Sequence, residues 1–259
     1  MNWKQVLLGK TKKSMVLNIT AVLLLLYVII IVFFTHLFFS EKRTIGSISF
    51  YSNDKKMLAS DTLQQIEAQL KRLPMYNEAM HLNIFFTNSW TIYTLLNPLN
   101  RTSFASASTF FNYKRIIVSK TDFDAVTVEN NKKEWNRRDI ISLVVHESCH
   151  CYFAKMHAVL TRLKMPSWKE EGLCEYYSNG SSYAIEKGFH NLKNDIDDSS
   201  LSYKYFKYRF LVSYMANIEK KQLSDIIKDK RSLDAVYKDA AQYIKATPIE
   251  ELIENMKFS

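Results

Sequence analysis

The 259-residue chain is poor in glycine and proline, with five and four copies, and contains only three cysteines. Aromatic residues, in contrast, make up 14% of it. Disordered and low-complexity chains have the opposite balance, so both classes are excluded. No internal repeat interrupts the sequence. The chain is therefore globular, and long enough for one large domain or two small ones.

The positive charge, a net +9, is unevenly distributed. Six basic side chains and one acidic side chain give residues 1–43 a charge of +5, which leaves +4 for the other 216 residues. A nucleic-acid-binding domain carries its basic excess on the folded surface. Here the excess flanks an apolar segment, so we expect no nucleic-acid partner.

That apolar segment covers residues 15–39, which are 25 residues without a charge. As a helix it would be about 37 Å long, enough to cross a hydrocarbon core of about 30 Å with some tilt. A buried core helix is rarely so long and so apolar. The segment ends without a small-x-small cleavage site, which favours an uncleaved signal anchor.

Four lysines precede the apolar segment and favour a cytoplasmic N-terminus, although Lys42 and Arg43 follow it. We therefore expect residues 1–14 to be a cytoplasmic basic tail and residues 15–39 to be a transmembrane signal anchor. Residues 44–259 would then form a domain on the extracytoplasmic side of the cell membrane.

Periodicity in this domain predicts α+β structure followed by helices. We expect strands at residues 44–52 and 81–87, a helix from Asp61 to Leu73, a hairpin over residues 103–119 that turns at Asn112-Tyr113, and a loop at 122–136. From Arg138 onward the pattern is mainly helical. The small residues 105–109 predict an edge strand, which either pairs with an extended peptide or is an ordinary edge.

The segment His146-Glu147-Ser148-Cys149-His150 reads H-E-x-x-H within an apolar run. Two histidines four apart project from one face of a helix and can hold one Zn²⁺. Glu147 is then placed to take a proton from a water that the metal activates.

A catalytic zinc site needs a third protein ligand. A second helix is predicted from Trp168 to about Ser178, with Ser167 and Glu170 as a capping box. Asn179-Gly180 would end it. Its first turns place Glu171 and Glu175 on one face, where a carboxylate can bind the metal or support a histidine.

These two segments resemble the gluzincin zinc metallopeptidases, most closely the peptidase MA-like family. That family's second motif is similar to Pro-x-Trp-x-x-Glu-Gly-x-Ala-Glu-Tyr, and this chain has Cys174 at the Ala position. The resemblance covers residues 140–180. It implies a zinc-dependent peptidase with one Zn²⁺ per chain and an α+β, zincin-like fold in which a mixed sheet and an active-site helix precede a helical lobe.

Carried over residue by residue, the resemblance implies that His146, His150 and Glu171 are the zinc ligands. It also implies that Glu147 is the general base and Glu175 a supporting carboxylate. Tyr205, with the helix that follows it, resembles a family segment that supplies a tyrosine near the substrate. From the residues alone, Tyr205, Tyr208 and Tyr176 are all candidates to stabilise the oxyanion. The implied domain divides into an α/β part at 44–135, metal-site helices at 136–180 and a helical lobe at 181–259.

Two further alternatives concern the third metal ligand and the state of the cysteines. A metzincin needs a third histidine at the position of Met156, and His157 is one residue off. Cys149 and Cys174 would be either a disulfide between the two helices or small buried thiols, the second being favoured.

Taken together, the sequence predicts a membrane-anchored zinc metallopeptidase acting on a peptide or protein substrate. The alternative is a non-catalytic, membrane-anchored binding or structural module that retains a zincin fold.

Overall fold

A mixed sheet forms the centre of the computed structural model, which describes residues 12–109, 114–131, 137–157 and 164–258. Its seven described strands are β1 (Glu41–Ile45), β2 (Ile48–Ser52), β3 (Leu82–Thr87), β4 (Ala105–Ala107), β5 (Arg115–Asp122), β6 (Thr127–Glu129) and β7 (Arg137–Asp139). Their order is β1-β2-β3-β5-β6-β7, and β4 pairs with β5. The β2-β3 and β3-β5 pairs are parallel and the others antiparallel.

The described helices are α1 (Lys12–Phe33), α2 (Ser60–Lys71), α3 (Trp90–Leu96), α4 (Ile140–Met156), α5 (Ser167–Ser178), α6 (Ile185–Lys193), α7 (Leu201–Ser213), α8 (Leu223–Lys228), α9 (Leu233–Ala246) and α10 (Ile249–Asn255). A 3₁₀ turn (Thr35–Phe38) follows α1, and a π-helical turn (Tyr214–Ile218) extends α7. The α+β prediction, with a mixed sheet followed by helices, is confirmed.

Alternation along the strands creates two cores, one on each face of the sheet. Ile84 and Phe86 of β3 belong to the larger core with residues of α2 and α4. Phe85, between them, points into a smaller core that also contains Ile31 of α1 and Tyr93 of α3. The metal-motif helix α4 and the end of α1 therefore lie on opposite faces of the sheet.

Two predicted boundaries are wrong. The single strand expected at residues 44–52 is a hairpin, β1 and β2, because Gly46 adopts the left-handed conformation with φ +55° and turns the chain. The loop expected at 122–136 contains β6, which pairs with β5 and β7. The β4-β5 hairpin is confirmed, while its predicted turn at Asn112-Tyr113 lies outside the described residues.

Helix α1 ends at Phe33, six residues before the predicted end of the apolar segment. Phe39 is buried in the smaller core, where its ring lies 4.9 Å from that of Phe85. Only 6% of the most apolar stretch of α1 is buried. By length and composition α1 is either a membrane anchor or a signal sequence. Of the predicted cytoplasmic tail, residues 1–11 lie outside the described part of the chain.

Candidate metal centre

Helix α4 begins where the Asp139 carboxylate accepts a hydrogen bond from the backbone N–H of Ser142, at 2.7 Å. This cap satisfies one of the free N–H groups of the first turn. The helix is buried around most of its circumference, in keeping with its apolar sequence. It places His146 and His150 one turn apart, and their Nε2 atoms lie 3.3 Å from each other.

Helix α5 crosses α7 at Gly172. A Cβ atom there would lie 2.6 Å from the carbonyl oxygen of Tyr208 and 2.7 Å from Cγ2 of Val212, so only glycine permits this approach. The helix ends at Asn179, whose φ of +52° is the left-handed conformation. The sequence predicted a helix end of this kind here. The close crossing positions the neighbouring residue, Glu171.

Glu171 completes a cluster that can hold a metal ion. Its Oε2 atom lies 3.4 Å from Nε2 of His146 and 3.5 Å from Nε2 of His150. The three ligand atoms thus form a nearly equilateral triangle, and they belong to the three residues that the family resemblance implied as ligands. Among the described residues, His157 is not part of this cluster.

Glu170, predicted to close a capping box with Ser167, has a different partner. Pro166 occupies the N-cap position without a side-chain cap, and Glu170 Oε1 lies 2.9 Å from Nδ1 of His150. The capping-box prediction is wrong because α5 begins one residue earlier and turns this carboxylate toward α4. Sequence reasoning missed this role, although two adjacent acids in the first turn were a usable signal.

Glu175 lies behind His146, with 3.3 Å between Oε1 and Nδ1. The pair is within ionic distance, but Nδ1 makes no well-aligned hydrogen bond to a described residue. Arg138, from β7, donates to the same Oε1 atom at 2.8 Å, and both side chains are almost fully buried. Arg138 was not predicted, since no motif contains it. It neutralises a carboxylate that would otherwise be a buried, unpaired charge.

The pKa values of the cluster residues reflect two opposing influences, burial and the neighbouring charges. Burial lowers the pKa of His146, but Glu175 and Glu171 raise it to about 9. Burial raises the pKa of Glu171, whereas His150 and His146 bring it well below its ordinary range. Burial also raises the pKa of Glu175, but Arg138 and His146 lower it to about 2. Both carboxylates are therefore ionised at neutral pH and available to a cation.

Glu147 is half-buried on α4 beside the cluster. Tyr205 on α7 lies within electrostatic range of this region: burial raises its pKa, and Glu171, Glu175 and Glu147 raise it further. The hydroxyl of Tyr176 is already engaged, since it donates to Oδ1 of Asn217 at 2.8 Å.

All three cysteines are free and buried, which agrees with the thiol interpretation. Burial, followed by the neighbouring Cys149, raises the pKa of the Cys174 thiol well above its usual value. Its Sγ lies 3.7 Å from Nδ1 of His150. A small, protonated side chain therefore fills the space behind that histidine.

The chain matches no protein-family model, and comparisons with characterised proteins and with solved structures also find no significant match.

Proposed function

We propose that this protein is a membrane-anchored zinc metallopeptidase with a zincin-like domain. The proposal depends most on one observation, the convergence of His146, His150 and Glu171 on a single point. Two histidines and a glutamate are a common protein ligand set of catalytic zinc sites, which keep a further position for water or substrate.

The size of the ligand triangle supports zinc. Tetrahedral zinc with bonds of about 2.0–2.1 Å requires ligand atoms roughly 3.3–3.4 Å apart. The three separations in the cluster are 3.3, 3.4 and 3.5 Å. Calcium and magnesium instead prefer sites made of oxygen ligands alone. Glu170 and Glu175, behind the outer ring nitrogens, are the partners that metal-binding histidines usually have.

In this proposal, bound Zn²⁺ supplies Lewis acidity that activates a water and polarises the scissile carbonyl. Glu147 accepts the proton of the attacking water and passes it to the leaving amine. It follows His146 in sequence but lies about 100° round the helix, so it flanks the ligand set. Glu175, itself held by Arg138, lies within ionic distance of Nδ1 of His146, and Glu170 lies at hydrogen-bonding distance from Nδ1 of His150.

Tyr205 is our candidate for stabilising the oxyanion. The Tyr176 hydroxyl is engaged with Asn217, whereas Tyr205 lies within electrostatic range of Glu171, Glu175 and Glu147. A phenol whose pKa is raised, as this one is, stays protonated and can donate to a developing negative charge.

Strand β4 is the candidate contact for a peptide substrate. It packs against α4, and among the described strands it pairs only with β5. Its other edge can add an extended peptide by main-chain hydrogen bonds. The small side chains of Ala105, Ser106 and Ala107 leave room for such a strand.

Glu147→Gln is the most direct test, because it keeps shape and removes the base. We expect full zinc content, unchanged fold and hydrolysis reduced by at least roughly 10²-fold in a peptide-library screen. Glu171→Gln should lose zinc and activity together. Glu186→Gln, on the exposed part of α6, is the matched control and should behave as wild type.

Undiminished cleavage by Glu147→Gln would contradict the mechanism. Zinc binding by the wild type without hydrolysis of any library peptide would favour the alternative, a non-catalytic anchored module. His190→Ala is the control for His150→Ala. Equal zinc content in the wild type and His150→Ala would contradict the metal assignment.

A further inference from the structure

The last turns of α1 are attached to the domain. The Tyr27 hydroxyl donates to the carbonyl of Leu95, at the end of α3. Ile31 is buried in the smaller core. Arg115 donates to the carbonyl of Ile31, and to Oγ1 of Thr35 at 3.0 Å. Tyr27 and Ile31 therefore fix this end of α1 to α3 and to the sheet.

The part of α1 that is clear of the domain is too short to cross a bilayer. Residues 14–26 are 13 uncharged residues, about 20 Å of helix against a hydrocarbon core of about 30 Å. Residues 27–33 add about 10 Å and complete the span. Because Tyr27 and Ile31, within this segment, contact α3, the surface of the domain next to them has to lie at the same depth in the bilayer.

That surface is suited to lipid. Leu99 is 99% exposed and Leu95 43% exposed, which is unfavourable in water for side chains of this size. Residues 88–100 contain no charged side chain. Trp90, at the start of α3, is the residue type that concentrates at membrane interfaces. Leu95 adjoins α1, since its carbonyl accepts the hydrogen bond from Tyr27.

We propose that residues 90–99 form a second membrane contact, in which Leu95 and Leu99 enter the leaflet on the domain's side, next to α1. The inference rests on the membrane anchoring proposed above. The domain is then held at the bilayer at two points, so it has a defined orientation instead of swinging on a single helix.

The full-length protein in phosphatidylcholine vesicles tests this contact. An environment-sensitive fluorophore attached at Leu99→Cys should show blue-shifted emission, quenching by spin-labelled lipid and protection from aqueous iodide. The native cysteines are buried, so the label reaches the introduced thiol. Leu201→Cys is the matched control, since Leu201 is 54% exposed at the start of α7. It should be quenched by iodide and not by lipid.

Equal iodide quenching at the two positions, in protein that floats with the vesicles, would overturn the second contact. Protein that fails to float would overturn the anchor and the contact together. Neither readout depends on zinc or on hydrolysis, so failure of the peptidase proposal would be seen separately.

Discussion

At the scale of single residues, each histidine of the cluster is held from two sides. The Nε2 atoms converge on Glu171, while the Nδ1 atoms lie next to Glu170 and Glu175, at 2.9 and 3.3 Å. A carboxylate behind the ring fixes its orientation and raises its basicity as a ligand. Metal affinity should therefore depend on two residues that do not bind the metal.

We expect Glu170→Gln and Glu175→Gln each to weaken zinc affinity by about 10–100-fold without abolishing binding. Competition with a chelator of known affinity measures this, with Glu186→Gln as control. Glu175→Gln should also lower the urea midpoint, because it leaves Arg138 buried without its charged partner. Unchanged affinity in both variants would show that the outer nitrogens need no carboxylate.

The two histidines could be predicted because a helix repeat fixes their direction: His146 and His150 share a face whatever surrounds the helix. The cap at Asn179 located the end of α5, and Glu171 was implied as a ligand by the family resemblance. Arg138 could not be predicted in its role, and for Glu170 the pair of adjacent acids was a signal that did not say which acid faces which atom. Their contacts depend on how α5 crosses α4 and where β7 ends, and local sequence specifies neither.

At the scale of helices and strands, α5 is fixed between α4 and α7. Gly172 allows the backbones of α5 and α7 to approach so closely that a methyl group has no space. Since Glu171 precedes this contact directly, the helix crossing sets the height of the carboxylate over the two histidines.

Gly172→Ala has two opposing effects on the free energy of unfolding. Helix propensity alone would stabilise the protein by up to about 1 kcal/mol, whereas overpacking costs about 1–3 kcal/mol. We expect net destabilisation in urea unfolding, together with weaker zinc binding as Glu171 moves. Adding Val212→Ala should restore only part of the loss, because the carbonyl of Tyr208 remains. A stabilised Gly172→Ala variant would mean that the helices separate freely.

Long periodic elements were predictable, and short ones were not. The alternation in residues 81–87 and the helical spacing after Asp61 correspond to β3 and α2. Helix α3 was missed because Trp90–Leu96 is rich in aromatic and β-branched residues, which favour strands. β6 has three residues, too few for a period to appear, and it exists only because β5 and β7 pair with it.

At the scale of the whole molecule, α1 exposes an apolar surface that no described part of the domain covers. If the basic tail is cytoplasmic, as the sequence predicts, protease added outside intact cells should degrade the C-terminal domain and leave an N-terminal epitope protected. Immunoblotting against tags at both ends measures this. Protection of the C-terminal tag, with digestion only after the inner face is opened, would reverse the proposed orientation.

The ligand set also joins distant parts of the chain. Twenty residues separate His150 from Glu171, so an ion held by both closes a covalent-like loop. An ion that binds the folded state and not the unfolded chain stabilises the fold by mass action, by about 2.7 kcal/mol when its free concentration is 100 times the Kd. A chelator would then act on this domain as a reductant acts on a disulfide-bonded secreted protein. Because the three cysteines are free, this cross-link would depend on metal supply and be indifferent to the redox state of the surroundings.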